Sequence, residues 1–172
     1  MLPDPLHPAV VHFPVVLMIL LPLIAIGAWW AIRRGASPTR AWLFPVAGAA
    51  ALALSSWVAV ETGESDEERV ENVVAERRLQ QHEEAAERFL GLSAALFVLT
   101  AAGLARGGIG RAARGAATVG ALALVAAGVQ VGHSGGNLVY RYGAASAYTG
   151  ADGQVGVAAE GGTERERGED ED

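Results

Sequence analysis

The sequence predicts an all-α integral membrane protein: four spanning helices in an up-down bundle, with an amphipathic outer helix between the second and third. Three observations carry this. Apolar residues make up 51% of the chain and are gathered into long continuous runs, which suit lipid on all sides, not into the single stripe of a soluble helix. The short connections between runs are rich in arginine and turn-forming residues. The 172 residues suffice for one compact domain.

Phe13 to Ile32 and Ala41 to Val60 contain no charged residue. Each is ~20 residues long, which at ~1.5 Å per residue crosses a hydrocarbon core of about 30 Å. The runs Phe89 to Ala105 and Ala116 to Val131 are shorter, roughly 16 to 17 residues, at the lower edge of spanning length. Beside two clear spans they read as spans three and four, which places the four at about 9–32, 41–61, 86–105 and 115–133.

Punctuation agrees. Pro8 and Pro14 fall in the opening turns of span one, where a missing backbone donor costs least, and Pro22 is expected to kink its middle. Gly35, Ser37 and Pro38 mark the first turn, and Gly107, Gly108 and Gly110 the third. Trp29, Trp30 and Trp42 cluster around the first turn and Trp57 near the far end of span two, positions that suit interfacial anchors. Gly120, Gly128 and Gly132, with the alanine-rich stretch after Gly48, allow close backbone approach between spans. Ser55, Ser56, Ser93 and Thr100 are suited to interhelical hydrogen bonds and too sparse to line a pore.

Two short connections hold Arg33, Arg34, Arg40, Arg106, Arg111 and Arg114 with no acidic residue among them. The positive-inside rule puts this side in the cytoplasm and both termini outside, although Arg69, Arg77, Arg78, Arg88 and Arg141 lie on the other side. No basic region precedes the first run, whose flank carries Asp4, so the first span is expected to remain and not to be cleaved.

The outer connection, 61–88, is crowded with glutamates. Val70, Val73 and Val74 recur at helical spacing, which predicts an amphipathic segment over about 64–82 lying on the bundle or membrane surface. Pairs such as Glu84 with Arg88 add helical support. Beyond Tyr148 the chain turns glycine-rich and ends in a charged run, so 149–172 is expected to be a disordered acidic tail.

With this topology, all four histidines fall at the outer end: His7 and His12 open span one, His82 leads into span three, and His133 closes span four. Glu61 and Glu64 leave span two at the same level. The chain has no cysteine, so a metal there must be held by nitrogen or oxygen. One reading is a b-type haem held by two neutral imidazoles from facing helices, for electron transfer. The expected order of involvement is His12 and His133, then His82, then His7. Gly132, Gly135 and Gly136 would make room for a flat macrocycle, and Gln130 and Asn137, at i−3 and i+4, would orient the His133 ring.

A second reading places zinc, copper or iron between His12, His82, His133 and Glu61 or Glu64. A third is a structural or accessory membrane subunit whose histidines cap and pack helices. Apart from the bilayer, the partners these readings imply are a redox protein or membrane complex, or a second copy in a homodimer. Nucleic acid is not expected, since no basic patch is interleaved with aromatics. Neither a phosphate-binding glycine loop nor a serine nucleophile elbow is present. Ser134 beside His133 is no catalytic dyad, because adjacent helical positions point about 100° apart.

Several motifs occur together, of which the first and the last are the specific ones. His7-Pro8, Val11-His12-Phe13-Pro14, Thr62-Gly63-Glu64, His82-Glu83 and the run Gly132-His133-Ser134-Gly135-Gly136-Asn137-Leu138-Val139-Tyr140 with Gly143 resemble the bacterial membrane family called domain of unknown function 2231, over residues 5–143. The resemblance implies a four-span protein of the bacterial cell membrane. Some members of that family are fused to Rieske-type or c-type cytochrome domains, which implies an electron-transfer context. This chain carries no cytochrome or iron–sulfur motif of its own.

Overall fold

The computed structural model describes residues 6–147. A single turn, α1 (His7–Val10), leads through Val11 into α2 (His12–Arg33); α3 (Pro38–Val70), α4 (Glu76–Ala102) and α5 (Gly107–Tyr140) follow, and a 3₁₀ turn covers Ala144–Ala147. The described residues contain no strand. Four helices are long and apolar enough to cross a membrane: α1 with α2, then α3, α4 and α5. Each packs on the next, and α5 closes the ring against α2. The result is an up-down four-helix bundle, as the sequence predicts.

Local signals explain the ends. Pro38 occupies the first turn of α3, where its missing donor is no loss. Gly35 leaves α2 with φ 98° and Gly107 enters α5 with φ 72°, conformations that a side chain disfavours. Pro22 and Pro45 lie within continuous helices, both packed inside the bundle.

Size, not polarity, distinguishes the inner and outer faces. The core is lined by Ala25, Ala28, Ala49, Ala117 and Ala121, with Met18, Leu21, Leu52, Phe89, Leu96 and Leu124 between them. Large apolar side chains such as Phe13, Ile19, Leu23, Phe44, Leu54, Val98 and Val119 point outward. Water would penalise such a surface, whereas lipid tails are as apolar as the core. Small inner residues then let backbones approach. A β-carbon at Gly128 would collide with the Met18 sulfur, and one at Gly120 would lie 3.1 Å from Leu96 Cδ1.

Several expectations need correction. The outer segment is not a separate amphipathic helix: α3 runs on through Val70, a turn that holds Val73 and Val74 follows, and α4 begins at Glu76. Val74 and Leu79 pack with Ala144, Val70, Leu138 and Tyr142. This satellite core forms because the helices outrun the bilayer and cover one another. Val73 stays exposed.

Trp42 is not an interfacial anchor. It is fully buried, donates Nε1–H to the Thr100 carbonyl at 2.9 Å, and meets Trp29 edge-on at 6.4 Å. Ser56, Ser93 and Thr100 do not bridge helices; each hydroxyl returns to its own helix, to the carbonyls of Leu52, Phe89 and Leu96. A hydroxyl one turn along a helix needs no partner helix. The predicted tail, 149–172, and Asp4 lie outside the described residues.

Candidate histidine site

Two imidazoles are drawn into the bundle at the end opposite the arginine-rich turns. His7, on α1, lies against α3: its Nδ1 is 2.8 Å from the Ala59 carbonyl, and its ring meets the Gly63 position, with Cε1 3.2 Å from where a β-carbon would stand. His82, on α4, does the same against α5. Its Nδ1 is 2.8 Å from Ser134 Oγ, and its Cε1 is 3.0 Å from a β-carbon placed on Gly135. In each case a glycine opens a notch and an imidazole fills it.

The hydrogen bonds determine the tautomers. A carbonyl only accepts, so His7 carries its proton on Nδ1. Ser134 donates its single hydroxyl proton to the Val131 carbonyl at 2.8 Å, so it accepts from His82 Nδ1–H. In each ring, when it is neutral, the free lone pair is therefore on Nε2. Burial holds His82 below the ordinary imidazole range, and the charge of His7 adds to the effect. His7 therefore lies within electrostatic reach of His82.

The pair expected to lead does not enter this site. His12 and His133 are exposed, as are Gln130, Glu61 and Glu64. No hydrogen bond joins Gln130 or Asn137 to His133 among the described residues. The reason is helical phase: Gly128, Val131 and Gly135 turn α5 toward the core, which directs His133 outward. Of the three glycines, Gly135 receives His82, whereas Gly132 and Gly136 face open space. Among the described residues no three His, Cys, Asp or Glu side chains are placed to hold a metal ion. The zinc, copper or iron site with Glu61 or Glu64 therefore has no converged ligand set.

His7, last in the order expected from sequence, and Ser134, with no role expected there, are thus both part of the site. The signal for His7 was a glycine in an otherwise acidic helical stretch, Gly63, which the structure places under it.

A carboxyl cluster adjoins the site, before the apolar stretch of α4 begins at Phe89. Glu83 is pushed up to about 7, first by burial, then by a hydrogen bond with Glu67 and the charges of Glu67, Glu64 and Glu87. Two carboxyl groups sharing a proton cannot both ionise cheaply. On the facing side, Arg78 lies over the Tyr142 ring at 5.0 Å.

Four apolar helices, large residues outward and small ones inward, define an integral membrane protein with a polar end built around two histidines. The family model described as predicted membrane protein (DUF2231) matches residues 3–147, and the chain belongs to that family. No curated protein matches the chain, and no solved structure does.

Proposed function

We propose that this protein carries a b-type haem for electron transfer, with His7 and His82 as the axial pair. The observation that carries the reading is that Nδ1 of each ring is taken up by a hydrogen bond. Each Nδ1–H is committed to an acceptor, Ala59 O or Ser134 Oγ, which leaves Nε2 free to donate its lone pair to a metal. The number of donors favours haem over a free ion. Haem iron already has four porphyrin nitrogens and needs two axial ligands, whereas zinc or copper sites of imidazole and carboxylate need three or four protein ligands, which do not converge here.

Haem would supply reversible one-electron transfer. The protein's own contributions are orientation of both rings, burial that keeps His82 neutral, and side-chain-free backbone at Gly132 and Gly136. By the positive-inside rule the histidine end faces outward from a bacterial cell membrane, so the electron partner would be a redox protein or membrane complex met at the outer face.

The test is an absorbance spectrum with metal analysis on detergent-purified protein expressed with ample haem. A Soret band lost in His7→Ala and in His82→Ala, and retained in His12→Ala and His133→Ala, is the expected result. Absence of the band in the wild type would end this reading.

A second reading rests on the notches themselves. Imidazoles seated on Gly63 and Gly135 tie α1 to α3 and α4 to α5, so the pair could serve assembly alone. In that case the histidine variants lose stability with no change in any visible spectrum.

A further inference from the structure

The opposite end of the bundle carries the largest unbalanced charge. Arg33 and Arg34 close α2, Arg40 opens α3, and Arg106 and Arg111 flank the start of α5; all five are exposed. Every described acidic residue lies between 61 and 87, at the histidine end, so none of the five has a carboxylate partner among the described residues. Beneath them Arg114 is buried, with Nη1 donating to the Gly103 carbonyl at 2.6 Å and Nε without a partner.

We propose that this end is a docking surface for the phosphodiester headgroups of anionic lipids. Three features fit that occupant, and the first two do not fit a soluble one. First, the charge sits at the ends of spanning helices, at the level where lipid phosphates lie. Second, Arg34 stacks over Trp30 at 4.8 Å, and Trp30 is 61% exposed, so an interfacial indole holds a guanidinium at headgroup depth. Third, the turn into α5 has no side-chain cap at Arg106, and Gly107 and Gly108 face open space, so backbone amides beside Arg106 and Arg111 are open to a phosphate oxygen.

Arginine recognises phosphate through a planar fork, and the attraction of a basic residue to an anionic surface is worth about five-fold in binding for each side chain. The buried charge of Arg114 adds a field that no carboxylate of the described residues neighbours. The docked lipid is thus selected by net charge, since phosphatidylcholine offers the same phosphate beneath a cation.

The experiment uses the full chain in nanodiscs, in a Trp57→Phe background that removes the exposed tryptophan of the other end. Tryptophan fluorescence is quenched by dibrominated phosphatidylglycerol or dibrominated phosphatidylcholine at matched mole fractions. Phosphatidylglycerol is expected to quench at several-fold lower mole fraction. Arg106→Gln with Arg111→Gln should remove most of that several-fold preference, and the corresponding lysine pair, which tests whether charge suffices, should retain most of it. Equal quenching by the two lipids would overturn the proposal, as would a preference that survives glutamine at all five exposed arginines. Loss of the preference in millimolar inorganic phosphate, at constant ionic strength, would also overturn it by showing a site for the free ion.

Discussion

The imidazole of His82 occupies the place where a side chain at Gly135 would stand, its Cε1 3.0 Å from the missing β-carbon. Ring and glycine belong to different helices, so the contact sets the spacing of α4 and α5 at the polar end. It predicts that Gly135→Ala forces the ring off Ser134. The expected cost is about 1–3 kcal/mol, as for other overpacked positions, read as a fall in thermal stability in detergent. Gly132→Ala and Gly136→Ala, which meet open space, should fall within about 0.5 kcal/mol of wild type.

The histidines should divide by burial. His7→Ala and His82→Ala each remove a ring from a notch and leave the Ala59 carbonyl or the Ser134 hydroxyl without its imidazole partner, a loss of about 1–3 kcal/mol. His12→Ala and His133→Ala alter exposed side chains and are expected to change stability by under about 0.5 kcal/mol. Chemical or thermal unfolding of the four variants side by side would decide it; equal losses would show that all four are structurally engaged.

At the centre, Gly128 is the tightest crossing, with Met18 and Phe89 pressed against it. Gly128→Ala should destabilise by about 1–3 kcal/mol, and the added substitution Met18→Ala should recover part of the loss, since it removes the atoms in the way. If the double variant is no better than the sum of the two single changes, the crossing is not as close as described.

Trp42 provides a hydrogen-bond test. Trp42→Phe keeps most of the buried ring but loses the bond to the Thr100 carbonyl, at a cost of about 1 kcal/mol or somewhat more. Trp42→Ala should cost about 3–5 kcal/mol, because a fully buried indole leaves a cavity. The comparison by unfolding midpoint separates the bond from the packing.

Glu83 makes stability depend on pH. Its carboxyl is raised from 4.5 to about 7 in the fold, so the folded state holds a proton that the unfolded chain releases. Below pH 4.5 both states are protonated and the contribution is fully present. It is lost as pH rises through about 7. Because the group is partly solvated the effect should be under about 1 kcal/mol. Glu83→Gln should flatten the profile, becoming more stable than wild type at pH 8 and indistinguishable at pH 4. A wild-type profile that instead rises from pH 5 to 8 would contradict the raised pKa of Glu83.

The histidine end shows how far sequence patterning reaches. Run lengths and arginine placement were sufficient to put His7, His12, His82 and His133 at one end, since helix order in an up-down bundle follows from counting spans. Which of them meet was not legible there, because that depends on rotation of each helix about its axis. In α5, Ser134 and Gly135 face α4 and His133 does not, a difference of one residue, or about 100°. The periodicity that usually reveals helix phase is weak in this chain, since lipid-facing and core-facing positions are both apolar.

Trp42 illustrates the same limit: its place beside a turn suggested the interface, but its phase put it under Gly103 and against Thr100. The outer segment differs in kind. Its valine spacing predicted a helix, but α3 ends at Val70 and Val73 and Val74 lie in the turn before α4; Val74 is buried there because Leu79 from α4 and Ala144 from the 3₁₀ turn cover it.

Composition and run length alone determined the solvent, the number of spans, their alternation, and the segregation of arginine from histidine and glutamate, because each follows from the cost of placing charge or bare backbone in hydrocarbon. Tertiary structure alone decided that His7 and His82 are the inward pair, that Gly63 and Gly135 receive them, and that Glu83 is set against Glu67, which raises its pKa. Those outcomes depend on side-chain contacts between helices more than fifty residues apart in some cases, as from His7 to Ala59, and lipid exerts no force that would write such contacts into a one-dimensional pattern.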